Sequence, residues 1–200
     1  MKYKLKVIVG STRPTRKGKA VADWFMEIAQ KDANFEVELL DLKEINLPLM
    51  DEPEHPRAQN YQHEHTKRWS KMIDDGDAYI LVTPEYNYSY PATLKNALDY
   101  LGREWSEKPV AFVSYGGMSG GMRSVQALKL PLTTLAMMPI PDAVNIPFVA
   151  NYFNEKGVFE ANEVIEKSAE RMMVTLLKWT KALKEMRENN LKPKSKHAEV

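Results

Sequence analysis

The chain has 200 residues, 44% apolar and 28% charged. That is enough to bury roughly 70% of the unfolded surface without help from metals or disulfides. Lysine plus arginine number 28 against 27 aspartates and glutamates, a net charge of +1 that argues against a general nucleic-acid binder. There is no cysteine, which excludes disulfides, thiolate nucleophiles and cysteine-held iron–sulfur clusters.

The elements alternate along the chain. Leu5 to Val9 reads as a strand closed by Gly10, and Lys19 to Lys31 as a helix with Ala22, Phe25, Met26 and Ala29 on one side. Phe35 to Asp41 is a second strand, with Phe35, Val37 and Leu39 alternating. Lys43 to Asn60 is an irregular excursion carrying Pro48, Pro53 and Pro56. A helix over Tyr61 to Asp75 leads to a third strand, Ala78 to Thr83. Its run Ala78 to Val82 is the longest apolar stretch in the chain, too short to span a bilayer. A helix over Ala92 to Leu101 precedes the strand Pro109 to Ser114. Met122 to Met138 is helical, with a break or kink expected at Pro131. A short fifth strand is expected over Ala143 to Pro147, and a last helix over Val164 to Leu183, its Met172 and Met173 filling core. Asn189 to Val200 is polar and lysine-rich, a frayed tail after a single domain over residues 1–188. Met1 to Gly10 lacks the apolar core of a secretory leader, so a cytoplasmic protein is expected.

Five strands alternating with helices predict a three-layer α/β fold, an open parallel sheet with helices on both faces. Ligands of such sheets bind beyond the carboxyl ends of the strands. The loops after strands one, three and four are therefore the candidates. The first runs from Gly10 to Lys19 and holds three hydroxyls, four cations and two glycines, with no acidic residue before Asp23. It leads into a helix N-terminus, where free amides and the positive end of the macrodipole favour a phosphate. It lacks the endings of the Walker A loop and of the dinucleotide fingerprint. The second, Thr83 to Pro91, sets three tyrosines among polar residues between two prolines, a stiff aromatic loop suited to a flat heteroaromatic ligand. The third, Ser114 to Gly121, has four glycines in its last six residues and allows close backbone approach.

Gly-Ser-Thr-Arg-Pro at 10–14, Thr-Pro-Glu-Tyr-Asn-Tyr-Ser-Tyr-Pro-Ala at 83–92 with Leu94 to Asp99, and Ser-Tyr-Gly-Gly at 114–117 occur in this order. Together they resemble the NAD(P)H-dependent FMN reductase family. The resemblance covers about residues 4–185 and implies a flavodoxin-like sheet, non-covalent FMN, and homodimers or homotetramers. Carried over by position, Ser11, Arg13 and Arg16, with the backbone near Lys17 and Gly18, would hold the FMN phosphate. Pro84, Glu85, Tyr86, Asn87 and Ser89 would line the isoalloxazine and ribityl chain. Ser114, Tyr115, Gly116 and Gly117 would close the other side of the ring. Many members place a serine late in the first loop, where this chain has Arg16-Lys17-Gly18. The Tyr86, Tyr88 and Tyr90 cluster with Trp105 offers aromatic surface that a second copy would cover.

Two rival chemistries are visible. Gly117 to Gly121 fits the G-x-S-x-G nucleophile pattern around Ser119, but the one histidine that follows is His197, in the polar tail. His63 and His65, read as helical positions i and i+2, would point about 200° apart and could not share a metal ion. A flavin-binding electron carrier or regulatory module is the non-enzymatic alternative; such carriers are strongly acidic, and this chain is not. The reading reached is an FMN-dependent oxidoreductase that takes hydride from NAD(P)H to flavin N5. It would then pass electrons to a small acceptor, such as a quinone, an azo compound, free flavin or a metal complex. No catalytic side chain, metal, nucleic acid or membrane is expected.

Overall fold

The computed structural model describes residues 2–190. β1 (Tyr3–Val9) lies between β2 (Phe35–Asp41) and β3 (Ala78–Pro84), and β3 pairs onward with β4 (Pro109–Tyr115). All pairings are parallel, and the strand order is β2-β1-β3-β4-β5, the flavodoxin arrangement. The fifth position is split. β5 (Met138–Pro139) pairs with Pro109 and Val110, and β6 (Val144–Ile146) with Val113 to Tyr115. Pro139 and Pro141 carry no amide hydrogen, so the ladder breaks between the two pieces. The single short strand expected there is thus only its second half.

Alternation along the strands builds two cores. Leu5, Val7 and Val9, with Ala78, Ile80 and Val82, face α1 (Gly18–Ala29) and α6 (Glu163–Asn190). Ile8, Tyr79 and Leu81 face the opposite layer. That layer consists of α3 (Glu64–Asp74), α4 (Ala92–Asp99) and α5 (Met122–Thr134), with the single turn α2 (Leu42–Ile45) following β2. Met172 and Met173 are buried in the first core, as the periodicity implies.

Four local expectations change. α5 passes Pro131 and stops beyond it, where Ala136 takes φ 57° and the Met137 amide turns back to Leu132. Trp105 is fully buried, its indole donating to the Leu98 carbonyl at 3.2 Å, so it offers no surface to a second copy. His63 precedes α3 rather than lying on it and stacks its ring on His65, centroids 5.2 Å apart. The helical geometry assumed for this pair therefore does not apply. Among the described residues no group of three or more acidic or histidine side chains could hold a metal. Asn189 and Asn190 belong to α6; the rest of the expected tail, 191–200, lies outside the described residues. No described helix is long and apolar enough to cross a membrane.

Candidate flavin site

Parallel pairing brings the carboxyl ends of β1, β3 and β4 side by side, and their loops meet. The Arg13 guanidinium sits over the Tyr86 ring, 5.9 Å from its centroid, joining the first loop to the second. The Tyr115 hydroxyl donates to Ser11 Oγ at 3.1 Å, joining the first to the third. Thr93 at the head of α4 donates to the Gly10 carbonyl at 2.7 Å. Two open grooves lie beside this convergence, one against Met50, Arg57 and Leu135 and one along Leu39, Trp69 and Met72 that borders Arg16 and Asp41. Concavity alone does not mark the site; the convergence of loops does.

In the first loop the structure divides the cations. Arg16 is turned away: its guanidinium grips both Asp41 carboxylate oxygens at 2.5 Å and the Ser11 carbonyl at 2.6 Å. Its charge is thus matched inside the protein, which sets it apart from the other cations of the loop. Arg13 is exposed, and Lys17 holds its ammonium 4.0 Å from the Phe153 ring centroid. Neither has a carboxylate partner among the described residues. Ser11 is fully buried and forms the floor of the loop rather than its rim. Gly18 packs so closely on that floor that a Cβ there would lie 2.4 Å from the Tyr115 hydroxyl and 2.5 Å from Ser11 Oγ. It opens α1, whose first amides have no partner within the helix.

The second loop is a tight hairpin turn. Tyr86 and Ser89 exchange backbone hydrogen bonds of 2.8 and 2.9 Å, with Asn87 and Tyr88 at φ 49° and 70°. A tyrosine in the left-handed region is strained and needs support. Arg123 supplies it, with its guanidinium 3.7 Å from the Tyr88 ring centroid. The same arginine donates through Nε to Glu85 at 2.5 Å, and Ser119 donates to Glu85 at 2.7 Å. Burial works to raise the Glu85 carboxyl, but these bonds hold it below the usual carboxylate range. Its side chain serves the loop, and its amide donates to the Tyr115 carbonyl at 3.2 Å. Pro84 ends β3 buried, and Pro91 stands immediately before α4.

The third loop is built differently from the expectation. Ser114 Oγ lies inside, donating to the Gly120 carbonyl at 2.8 Å and accepting from Asn145 at 2.7 Å. Tyr115 points to the opposite face of the sheet, toward Ser11. Both side chains bond within the protein. Gly116 and Gly117 remain at the rim. Their carbonyls accept from Val149 and Phe148 at 3.0 and 2.9 Å, and a Cβ on Gly117 would enter open space. The turn closes at Gly121, φ 86°, where a Cβ would come within 2.7 Å of Ser114 Cβ.

Ser119 is thus no hydrolase nucleophile in this arrangement: its hydroxyl bonds a carboxylate, not an imidazole. His197 lies outside the described residues. Asp41, Arg123, Asn145, Phe148 and Phe153 contact the three loops and were missed by sequence reasoning. Phe148 and Phe153 follow the fifth strand, whose carboxyl end should have been read with the other three.

A family model described as NADPH-dependent FMN reductase matches residues 3–151. The chain belongs to this family. Membership makes it an FMN-using, NAD(P)H-dependent oxidoreductase. An NAD(P)H-dependent FMN reductase of Schizosaccharomyces pombe is 45% identical over 120 residues, 59% of this chain and 60% of that protein. The match thus spans less than two thirds of that relative. A quinone reductase of Pseudomonas putida is 35% identical over 164 residues, 78% of this chain and 83% of its own length. Among solved structures, the flavoenzyme FerB, an NAD(P)H:(acceptor) oxidoreductase of Paracoccus denitrificans, superimposes with a TM-score of 0.70 at 24% identity. That alignment covers 90% of this chain and 98% of FerB and establishes the shared fold.

The FMN reductase residues present fit the cofactor. Two cations without carboxylate partners stand at the head of α1, matching a phosphate dianion. A rigid turn and the side-chain-free Gly116–Gly117 rim flank the crevice, and Glu85, the acidic residue of the second loop, is matched by Arg123.

Proposed function

We propose that the protein holds FMN at the carboxyl ends of β1, β3 and β4 and reduces a small acceptor of quinone or azo type with NAD(P)H. Bound FMN supplies the chemistry, accepting hydride and releasing the electrons to a second molecule. The chain's own residues bind and orient. Arg13, Lys17 and the first amides of α1 would hold the phosphate. The Pro84 to Ser89 backbone, made stiff by the Tyr86–Ser89 pairing and the Glu85–Arg123 clasp, would line the ring and the ribityl chain. Gly116 and Gly117 would admit the ring edge because they carry no side chain. No acid–base residue is assigned, since hydride transfer requires none and Glu85 is held ionised by Arg123 and Ser119.

The observation that carries this reading is the convergence of unpartnered cations on a helix N-terminus beside two backbone-rich loops. The net charge of +1 favours an enzyme over an acidic electron carrier. The quinone reductase relative supports the acceptor class. We further place the protein in the cytoplasm, where NAD(P)H is available, as a single domain that pairs or forms tetramers. Tyr88, 70% exposed, and Phe148, 53% exposed, stand at the crevice and would be covered by a second copy. A mass equal to one 23.0 kDa chain in light scattering would remove that part.

Stopped-flow spectroscopy tests the activity. FMN-loaded protein mixed with NADPH or NADH should lose its flavin absorbance rapidly, and a quinone should restore it. Persistence of the oxidised spectrum with both nucleotides would leave the carrier reading in its place.

A further inference from the structure

Arg16 was read from the sequence as a phosphate ligand, yet three of its guanidinium N–H groups are bonded within the protein and its charge is matched there. Arg16 and Asp41 side chains are each only 8% exposed, and the two planar groups meet fork to fork. Asp41 is the last residue of β2, in register with Val9 at the end of β1. It is fixed again by accepting from the Lys43 amide at 3.0 Å as it caps α2. Through its third bond, to the Ser11 carbonyl, Arg16 also reaches the start of its own loop. The Arg16 amide donates to the Arg13 carbonyl at 3.1 Å. The segment from Ser11 to Arg16 is thus closed into a ring, and Arg13 projects from it.

We propose that Arg16 and Asp41 are positioning residues: the pair anchors the first loop to the end of β2 and so aims Arg13 and the Lys17 amide at the FMN phosphate. This rests on the FMN reading above. It differs from a direct Arg16–phosphate contact in the sign of one effect. If Arg16 were a ligand that Asp41 merely occupies, removing the Asp41 charge would free it and tighten FMN. If the pair is an anchor, the same change loosens the loop and weakens FMN. Asn at position 41 keeps the capping acceptor for Lys43, so α2 is not the variable.

The experiment titrates apoprotein with FMN and with riboflavin, which lacks the phosphate, at one fixed salt concentration, by fluorescence. The proteins are wild type, Asp41→Asn, Arg16→Met and the double variant. Asp41→Asn should raise the FMN dissociation constant roughly tenfold, the low end of what losing a supporting partner costs a bound ion. Riboflavin should stay within about twofold, since it makes no use of the phosphate loop. The double variant should be no weaker than the weaker single one, because both break one link. FMN binding that is unchanged or tighter in Asp41→Asn overturns the proposal, as does an equal loss for both flavins. Should Arg16→Met strand the buried carboxylate and fail to fold, Asp41→Asn alone still decides. A wild-type protein with no preference for FMN over riboflavin would instead overturn the phosphate reading itself, and this inference with it.

Discussion

The two ends of the sheet treat charge in opposite ways. Toward the amino ends of the strands Lys4, Lys6, Lys184 and Arg187 are each answered by a carboxylate. Lys6, buried, bonds Glu38 at 2.5 Å and Asp75 at 2.7 Å, and Lys4 pairs with Asp75 as well. Asp77 collects Lys184 at 3.0 Å, Arg187 at 3.3 Å and the Lys4 amide at 3.0 Å. Lys108 caps the last carbonyls of α3, Ile73 and Asp74, and burial pulls it down to about 8. At the carboxyl ends, Arg16 and Arg123 are likewise matched, by Asp41 and Glu85, but Arg13 and Lys17 face only aromatic rings. A cation left without a counterion at a helix N-terminus is a binding group; a matched one is part of the frame. Composition alone hides this, because the whole chain is nearly neutral.

The contrast predicts where stability and binding separate. Asp77→Ala breaks the amino-end network and should cost about 3 kcal/mol, the low end for leaving partly buried charges unpaired. For a chain of this size that lowers Tm by roughly 6–12 °C. FMN affinity should be unchanged; a parallel loss of FMN affinity would mean that the two ends are coupled. Gly18→Ala does the reverse at the other end. Its Cβ would push into the Tyr115 hydroxyl and Ser11 Oγ, an overpacking cost of about 2 kcal/mol. Thermal melts and FMN titrations should here fall together, and unaltered FMN binding would show that the floor of the first loop does not shape the site.

The smallest effect concerns pH. Hydrogen bonds from Lys4 and Lys6 hold Asp75 at about 2, below its ordinary 3.8. A depressed carboxyl stabilises the fold above the unfolded value and loses that contribution as pH falls from 3.8 toward 2. In a stability–pH profile Asp75→Asn should therefore lower the neutral plateau modestly and flatten the acid limb between these values, the two profiles converging below the folded value. An identical acid limb in the variant would show that Asp75 is not the group responsible. Half exposed to solvent, the pair contributes only modestly.

Much of the frame was legible. Phe35 to Asp41 is a strand at the positions its alternation indicates, βα repetition indicates the parallel sheet, and the strand order is the one that the family resemblance implies. The three loops were legible from glycine, proline and charge. What was not legible depends on partners distant in sequence. Arg16 meets Asp41 across 25 positions, and Glu85 meets Arg123 across 38. One signal was present but unused. Ser114 and Tyr115 end a strand of period two, so their side chains face opposite layers. Trp105 was misplaced because aromatic surface was inferred without a face to put it on; in the fold it meets Trp69 and Tyr79 edge-on.

The central claim is that the unmatched cations at the head of α1 receive the FMN phosphate, and Arg13→Ala tests it most directly. A charge-assisted hydrogen bond contributes about 1.5–3 kcal/mol, and Lys17 offsets part of the loss, so the lower end applies. FMN affinity should fall roughly tenfold, at about 1.4 kcal/mol per factor of ten. Riboflavin titrated under the same conditions should bind the variant as it binds the wild type. Equal losses for the two flavins, or no loss for either, would contradict the account, because the first loop would then not be the phosphate site.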